Sequence, residues 1–379
     1  LDSLGIPRPE YEAAAAASQS ISSALTPRRG RDVIHGTTTE TIRLDPERFD
    51  PSALDAPARC VREGGLVAFP TETVYGIAAR RDDPGAVRRL LELRGSPEDK
   101  RLTLHIGERD QVRAHVRRIP ITAQRLMARF WPGPLTIVFP DEDLGIRFPR
   151  HAVACELLKR AGVPVVAPSA NRSGAPPALS AAEVPEGLDY VIDAGPTRHA
   201  RASTVVRAAE HAVEVLREGA IPRTVIDEVN YFQVLFICTG NTCRSPMAAA
   251  LMRKLAGDRP DLRVVSAGTA AGTGAEPFEP AIQAMRERGI SLEDHRSRPV
   301  SVTLVEDSNL VFVMTSAHRD LVLEWVPEAA DRIHLLDPEG TDIKDPMLGT
   351  LEVYRECAKR IEACLARRIA ALPGPGARP

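Results

Sequence analysis

The stretch from Gln233 to Met252 leaves a folding chain few choices. Gln233-Val234-Leu235-Phe236-Ile237 has the short apolar character of a buried strand, and Met247-Ala248-Ala249-Ala250-Leu251-Met252 is made of good helix formers. Only Cys238-Thr239-Gly240-Asn241-Thr242-Cys243-Arg244-Ser245-Pro246 separates them, enough for one tight loop. A strand that turns this abruptly into a helix opens a βαβ arrangement, with the loop at the carboxyl end of the sheet. The alternation continues. Apolar periodicity predicts a helix over Ser245–Ala256, a strand Leu262–Ser266, a helix Pro277–Arg288, a strand Leu310–Met314, a helix Ala317–Val326, a strand Ile333–Leu336 and a last helix Leu351–Leu372. The expectation for 233–372 is an α/β domain with a parallel sheet and helices on both faces, followed by a frayed tail at 373–379.

The spacing of Cys238 and Arg244 carries chemistry. A loop of this length before a helix can turn backbone N–H groups inward, making a nest for a phosphate dianion at the positive end of the helix dipole. The same donors stabilise a thiolate, so Cys238 is the candidate nucleophile. Arg244 can grip two phosphoryl oxygens, and Ser245 can hydrogen-bond the sulfur. Asn241 can pin the loop, and Gly240 is expected at a positive φ. Thr239, Thr242 and Cys243 complete the loop. The leaving group needs an acid, and Asp345-Pro346 is the candidate. Two sulfurs without a nearby histidine make a poor zinc site, so no metal is expected. Cys243 reads equally as a thiol able to form a reversible disulfide with Cys238 and as packing. Cys357 and Cys364 share a face of the last helix with Ile361 and read as core.

These residues resemble the low-molecular-weight protein tyrosine phosphatase family over roughly 233–370. Val265-Ser266-Ala267-Gly268-Thr269, Gly289-Ile290 and His295-Arg296-Ser297 add to the match. The resemblance implies a phosphocysteine intermediate on Cys238, phosphate binding by Arg244, acid and base work by Asp345, no cofactor, and phosphorylated proteins as substrates. Thr242 stands where phosphotyrosine members usually carry an aliphatic residue. It resembles the protein arginine phosphatase branch and favours phosphoarginine over phosphotyrosine. An arsenate reductase on the same scaffold is the alternative.

At 379 residues the chain is long for one domain, and its first half reads differently. Residues 1–41 show no sustained periodicity and are expected to form a mobile leader. Helices are predicted over Ser52–Glu63 and Pro84–Arg94. Short apolar runs lie at Leu66–Phe69, Leu102–Ile106, Leu135–Phe139, Val163–Ala167, Tyr190–Asp193, Thr204–Arg207 and Val213–Arg217. Many strands and fewer helices imply a twisted α+β sheet over 42–228. The domain boundary falls near 226–232, where periodicity fades. Phe69-Pro70-Thr71-Glu72-Thr73-Val74-Tyr75-Gly76, Phe130-Trp131-Pro132-Gly133-Pro134-Leu135-Thr136, Ala167-Pro168-Ser169-Ala170-Asn171-Arg172-Ser173-Gly174 and Ala202-Ser203-Thr204-Val205-Val206 each set hydroxyls beside a strand. Such groups suit a nucleotide phosphate or an amino acid.

In that order these segments resemble the YrdC-like threonylcarbamoyl-AMP synthase family over about 42–225. The resemblance implies that L-threonine, bicarbonate and ATP, with its magnesium, give threonylcarbamoyl-AMP and pyrophosphate for tRNA modification. Tied to it are Thr73, His105 and Ser203 around threonine, and Thr136, Ser169, Asn171 and Arg217 around ATP. The family has Lys-x-Arg-Pro where this chain has Arg94-Gly95-Ser96-Pro97, so a phosphate contact is lost at Ser96 unless Lys100 or Arg101 reaches in. The alternative is a nucleotide- or RNA-binding module without catalysis.

A net charge of −2 gives no overall field toward nucleic acid or a membrane surface, so any tRNA contact would be a local patch. No apolar run is long enough to span a bilayer, and the start lacks a secretory pattern. Six cysteines in 379 residues are too sparse for a disulfide scaffold. The expected home is the cytoplasm.

Overall fold

The computed structural model describes residues 39–370 and 372; the expected tail and nearly all of the expected leader lie outside them. The strands are β1 (Glu40–Arg43), β2 (Val67–Phe69), β3 (Gly76–Arg80), β4 (Leu104–His105), β5 (Leu135–Phe139), β6 (Leu144–Arg147), β7 (Val165–Val166), β8 (Tyr190–Asp193), β9 (Thr204–Ala208), β10 (Val213–Arg217), β11 (Phe232–Cys238), β12 (Leu262–Gly268), β13 (Leu310–Val313) and β14 (Ile333–Leu335). The helices are α1 (Asp55–Arg62), α2 (Pro84–Arg94), α3 (Ile121–Phe130), α4 (Ala152–Ala161), α5 (Arg223–Asp227), α6 (Arg244–Ala256), α7 (Glu279–Arg286), α8 (Val302–Glu306), α9 (Ser316–Trp325) and α10 (Leu351–Ile369). Among the described residues no helix is long and apolar enough to cross a membrane.

The first half builds a mixed ten-stranded sheet in the order β1-β8-β2-β3-β7-β4-β6-β5-β9-β10. Alternation within β2 shows how it is held. Val67 and Phe69 pack with α1 and α4 on one face, while Ala68 packs with α2 on the other. Further along, Leu126 and Met127 of α3 cover Leu135, Ile137 and Ile146. The structure adds β1, β3, β6, α3, α4 and α8 to the elements read from sequence, and β1 begins at Glu40, inside the expected leader, where it pairs with β8. The structure also places a short helix, α5, where periodicity seemed to fade, and buries Ile226 and Val229 in the first half's core.

The second half is a parallel sheet in the order β12-β11-β13-β14. Along β11, Val234, Phe236 and Cys238 face the core of α6, α7 and α10, whereas Leu235 and Ile237 face α8 and α9. With helices on both faces, the order reverses beside β11, so the loop after it opens at the switch point of the sheet.

The halves meet at a buried arginine. Arg125 of α3 donates from Nε to Asp307 Oδ1 at 2.7 Å and from Nη2 to Asn309 Oδ1 at 2.8 Å and to the carbonyl of Asp307 at 2.5 Å. The Tyr231 ring lies 4.0 Å from the Arg125 guanidinium and 3.5 Å from that of Arg263, and its hydroxyl donates to Asp307 Oδ2 at 2.9 Å. Each cation gains from the ring's electron-rich face.

Candidate active sites

Cys238 ends β11 and is 2% exposed. The Ser245 hydroxyl lies 3.0 Å from its sulfur, and the Asn241 N–H donates to it at 3.3 Å. The positive φ expected at Gly240 falls on Asn241 instead, at 54°. An L-residue there costs roughly 1–2 kcal/mol, which the Asn241 side chain offsets by tying the loop down. Its Nδ2 donates to Ser245 Oγ and Ser266 Oγ, each at 2.9 Å, and its Oδ1 accepts from Arg298 N at 3.0 Å. His295 Nε2 donates to the Asn241 carbonyl at 2.7 Å. Gly268 has no room for a side chain, because a Cβ would stand 2.4 Å from the Thr239 carbonyl.

Arg244 is the first residue of α6, and its buried guanidinium reaches three partners. Nη1 donates to the Ile343 carbonyl at 3.1 Å, and Nη2 donates to Thr239 Oγ1 at 3.2 Å and to Asp345 Oδ2. Asp345 is held by its own turn, where Met347 N donates to Oδ1 at 3.1 Å. The loop is anchored to the end of β13 by Ile343 N donating to the Met314 carbonyl at 2.8 Å. Nucleophile, guanidinium and carboxylate therefore converge from the two ends of the half-chain.

Thr242 is half-buried, and its carbonyl accepts from Phe278 N at 3.2 Å. All six cysteines are free thiols. Cys243 sits 3.5 Å from the Tyr354 hydroxyl, and burial pushes its thiol up. Cys357 and Cys364 sit on the core-facing side of α10, where burial pushes Cys357 up to about 12. Among the described residues no cluster of His, Cys, Asp and Glu could hold a metal.

In the first half, His105, Thr136, Ser169, Ser203 and Arg217 line one cavity of about 210 Å³. Thr136 Oγ1 and Ser203 Oγ are 3.0 Å apart, and Arg217 Nη2 donates to the Ser203 carbonyl at 2.9 Å. His105 Nδ1 donates to the Thr103 carbonyl at 3.2 Å, which leaves Nε2 as an acceptor. Burial, then the Arg147 cation, lowers its pKa to about 3.

Thr73 and Asn171 stand apart from this group. Thr73 is fully buried behind the wall, its hydroxyl 2.9 Å from that of Thr71 and accepting from Arg147 Nη2 at 2.8 Å. Asn171 turns its Nδ2 into its own loop, donating to the carbonyls of Arg172 and Ala175 at 2.9 and 2.8 Å.

Sequence reasoning missed Arg147 and Glu72, a buried pair at 2.9 Å. Removing either partner strands a buried charge and costs about 3–5 kcal/mol. Arg94 lies against the cavity too. Its Nε donates to the Asn171 carbonyl at 3.1 Å, and its Nη atoms reach Ser96 and Ser169 at 3.4 Å. Lys100 and Arg101 also line the cavity. It therefore gathers Arg94, Lys100, Arg101, Arg147 and Arg217, and no carboxylate among the described residues lines it. Such a field selects an anion.

Comparison with known proteins gives each half its own relatives. The family model described as telomere recombination, covering the Sua5, YciO and YrdC proteins, matches residues 59–219, and that of the low-molecular-weight phosphotyrosine protein phosphatases matches 233–373. The threonylcarbamoyl-AMP synthase of Pyrococcus abyssi is 36% identical over 53% of this chain, which spans 65% of that relative's length. A putative threonylcarbamoyl-AMP synthase of Mycobacterium tuberculosis is 36% identical over 50% of the chain and 95% of its own length. The protein-arginine-phosphatase of Geobacillus stearothermophilus is 40% identical over 36% of the chain and 93% of its own length. With cations around the cavity of one half and a thiol, guanidinium and carboxylate gathered at the strand–helix loop of the other, the chain belongs to the threonylcarbamoyl-AMP synthase family in its first half and to the low-molecular-weight phosphatase family in its second.

Proposed function

We propose that the chain is a two-activity enzyme. The second half hydrolyses phosphorylated protein side chains, with phosphoarginine favoured over phosphotyrosine. The first half makes threonylcarbamoyl-AMP for tRNA modification. The observation that carries the phosphatase reading is the convergence of Cys238, Arg244 and Asp345 on one loop at a helix N-terminus.

The Cys238 thiolate attacks phosphorus, an S–P bond forms and the N–P or O–P bond breaks. The leaving group takes its proton from Asp345. Water then attacks the phosphocysteine, Asp345 takes a proton from it, and the sulfur leaves as a thiolate with Ser245 donating to it. Arg244 and the loop N–H groups hold the equatorial oxygens throughout. An arsenate reductase relay would need further reachable thiols, and the burial of Cys357 and Cys364 in the core weighs against it.

In the first half the cation-lined cavity supports a nucleoside triphosphate, and Lys100 supplies charge that Ser96 lacks, with Arg101 beside it paired to Asp143. A binding module would need the same pocket; synthesis is favoured over it by the threonylcarbamoyl-AMP synthases to which the first half is similar. The lining offers no carboxylate, so magnesium enters with ATP as part of the substrate. His105 Nε2 is left to accept from the ammonium or hydroxyl of threonine. ATP, threonine and tRNA are met in the cytoplasm, where this reading places the protein.

The test uses the full chain. Phosphoarginine and phosphotyrosine are supplied separately, with Cys238→Ser as control, and pyrophosphate release is followed with ATP, threonine and bicarbonate. Phosphate release that persists in Cys238→Ser would sink the phosphatase reading. ATP binding without pyrophosphate release would turn the first half into a binding module.

A further inference from the structure

His318 is a buried histidine that the chemistry above does not use; it is 7% exposed and lies in the first turn of α9. Its Nε2 is 2.9 Å from Thr239 Oγ1, and its Nδ1 is 2.8 Å from Oγ1 of Thr315, the N-cap of the same helix. Thr239 Oγ1 in turn accepts from Arg244 Nη2 at 3.2 Å. A continuous run of polar contacts thus leads from the cap of α9 to the guanidinium of the phosphate loop.

The imidazole is neutral at ordinary pH. Burial and the Arg244 cation lower its pKa to about 4, against the opposing pull of Asp345 and Asp342. A neutral imidazole offers one donor and one acceptor, so it fixes the rotation of a hydroxyl that would otherwise turn freely on the exposed residue Thr239. That matters because Arg244 Nη2 has two side-chain partners, Thr239 and Asp345. When Asp345 turns to the leaving group, Thr239 is the one that remains.

We propose that His318 is a positioning residue of the phosphate loop: through Nε2 it locks the Thr239 hydroxyl, which holds the Arg244 guanidinium in register with the incoming phosphoryl oxygens. The inference rests on the phosphatase reading of the second half.

The two ring nitrogens allow a clean test in the full-length chain, with inorganic phosphate as the probe. Glutamine places a polar atom near the Nε2 position and keeps the link to Thr239. Asparagine places one near Nδ1 and keeps only the link to the helix cap. His318→Asn should raise the inhibition constant of phosphate, and KM with it, about tenfold, with a smaller change in kcat, while His318→Gln stays within about twofold of wild type. Thr239→Val, at an exposed position that does not threaten folding, should reproduce the asparagine defect, and adding His318→Asn to it should cost nothing further. Equal behaviour of the glutamine and asparagine variants, or wild-type phosphate affinity in Thr239→Val, overturns the inference and leaves the phosphatase reading standing. A wild-type chain that neither binds phosphate nor hydrolyses a phosphoamino acid overturns both.

Discussion

Arg244 and Asp345, 101 positions apart in sequence, touch through Nη2 and Oδ2 across the mouth of the phosphate loop. The proposed acid is thus also a competitor for the proposed phosphate-binding guanidinium. Asp345→Asn should lower kcat by roughly 10²–10³ by removing the proton donor. It should also tighten inorganic phosphate binding about fivefold, because a half-exposed ion pair worth about 1 kcal/mol no longer has to be exchanged. Product inhibition at pH 7 reads both effects. Weaker phosphate binding in the variant would mean that Asp345 does not restrain Arg244.

Thr242 places a hydroxyl on the loop beside Cys243. Thr242→Ile should shift the ratio of kcat/KM for phosphoarginine to that for phosphotyrosine about tenfold toward phosphotyrosine, since a pocket with a lost hydroxyl no longer favours a polar leaving group. A ratio that stays put removes Thr242 from specificity.

Ser96 and Lys100 should behave as alternatives. Lys100→Ala is expected to weaken ATP binding by calorimetry about tenfold, through loss of one charged phosphate contact. Adding Ser96→Arg should return most of it. If Lys100→Ala binds ATP as tightly as wild type, the charge missing at Ser96 is not supplied from position 100.

His105 makes the first half sensitive to acid. Its pKa falls from 6.5 unfolded to about 3 folded, so between these values the unfolded chain binds the extra proton and stability drops as pH drops. The contribution is complete above pH 6.5. In His105→Asn the urea midpoint should therefore fall less steeply between pH 6.5 and 4 than in wild type. Parallel slopes would show that another group carries the acid sensitivity.

What could be read in advance depended on how local each feature is. The phosphate loop is contiguous, so the positions of Cys238, Arg244 and Ser245 in it followed from spacing alone. Runs such as Tyr190–Asp193 and Val213–Arg217 became strands because several apolar side chains shared one short segment. By contrast β6, Leu144–Arg147, alternates Leu144 and Ile146 with a glycine and an arginine and is too short to stand out as an apolar run. Its Arg147 pairs with Glu72 across 75 positions, and no local pattern in an arginine-rich chain marks that one guanidinium as buried. The backbone of the loop taught a similar lesson. Glycine is the default at positive φ, yet Asn241 takes that place because Ser245, Ser266 and Arg298 bind its side chain. His318 lies 79 positions from Thr239 and announces nothing by its neighbours.

The joint at Arg125 changes what separation of the halves would mean. A protease that nicked the backbone between β10 and β11 would leave Arg125 still gripping Asp307 and Asn309, and Tyr231 still stacked between two guanidinium groups. A gene cut at the same point would give two proteins, each exposing half of this polar seam. Fusion here is more than a tether: it fixes one copy of each proposed site to the other at equal dosage, so neither can be made without its neighbour.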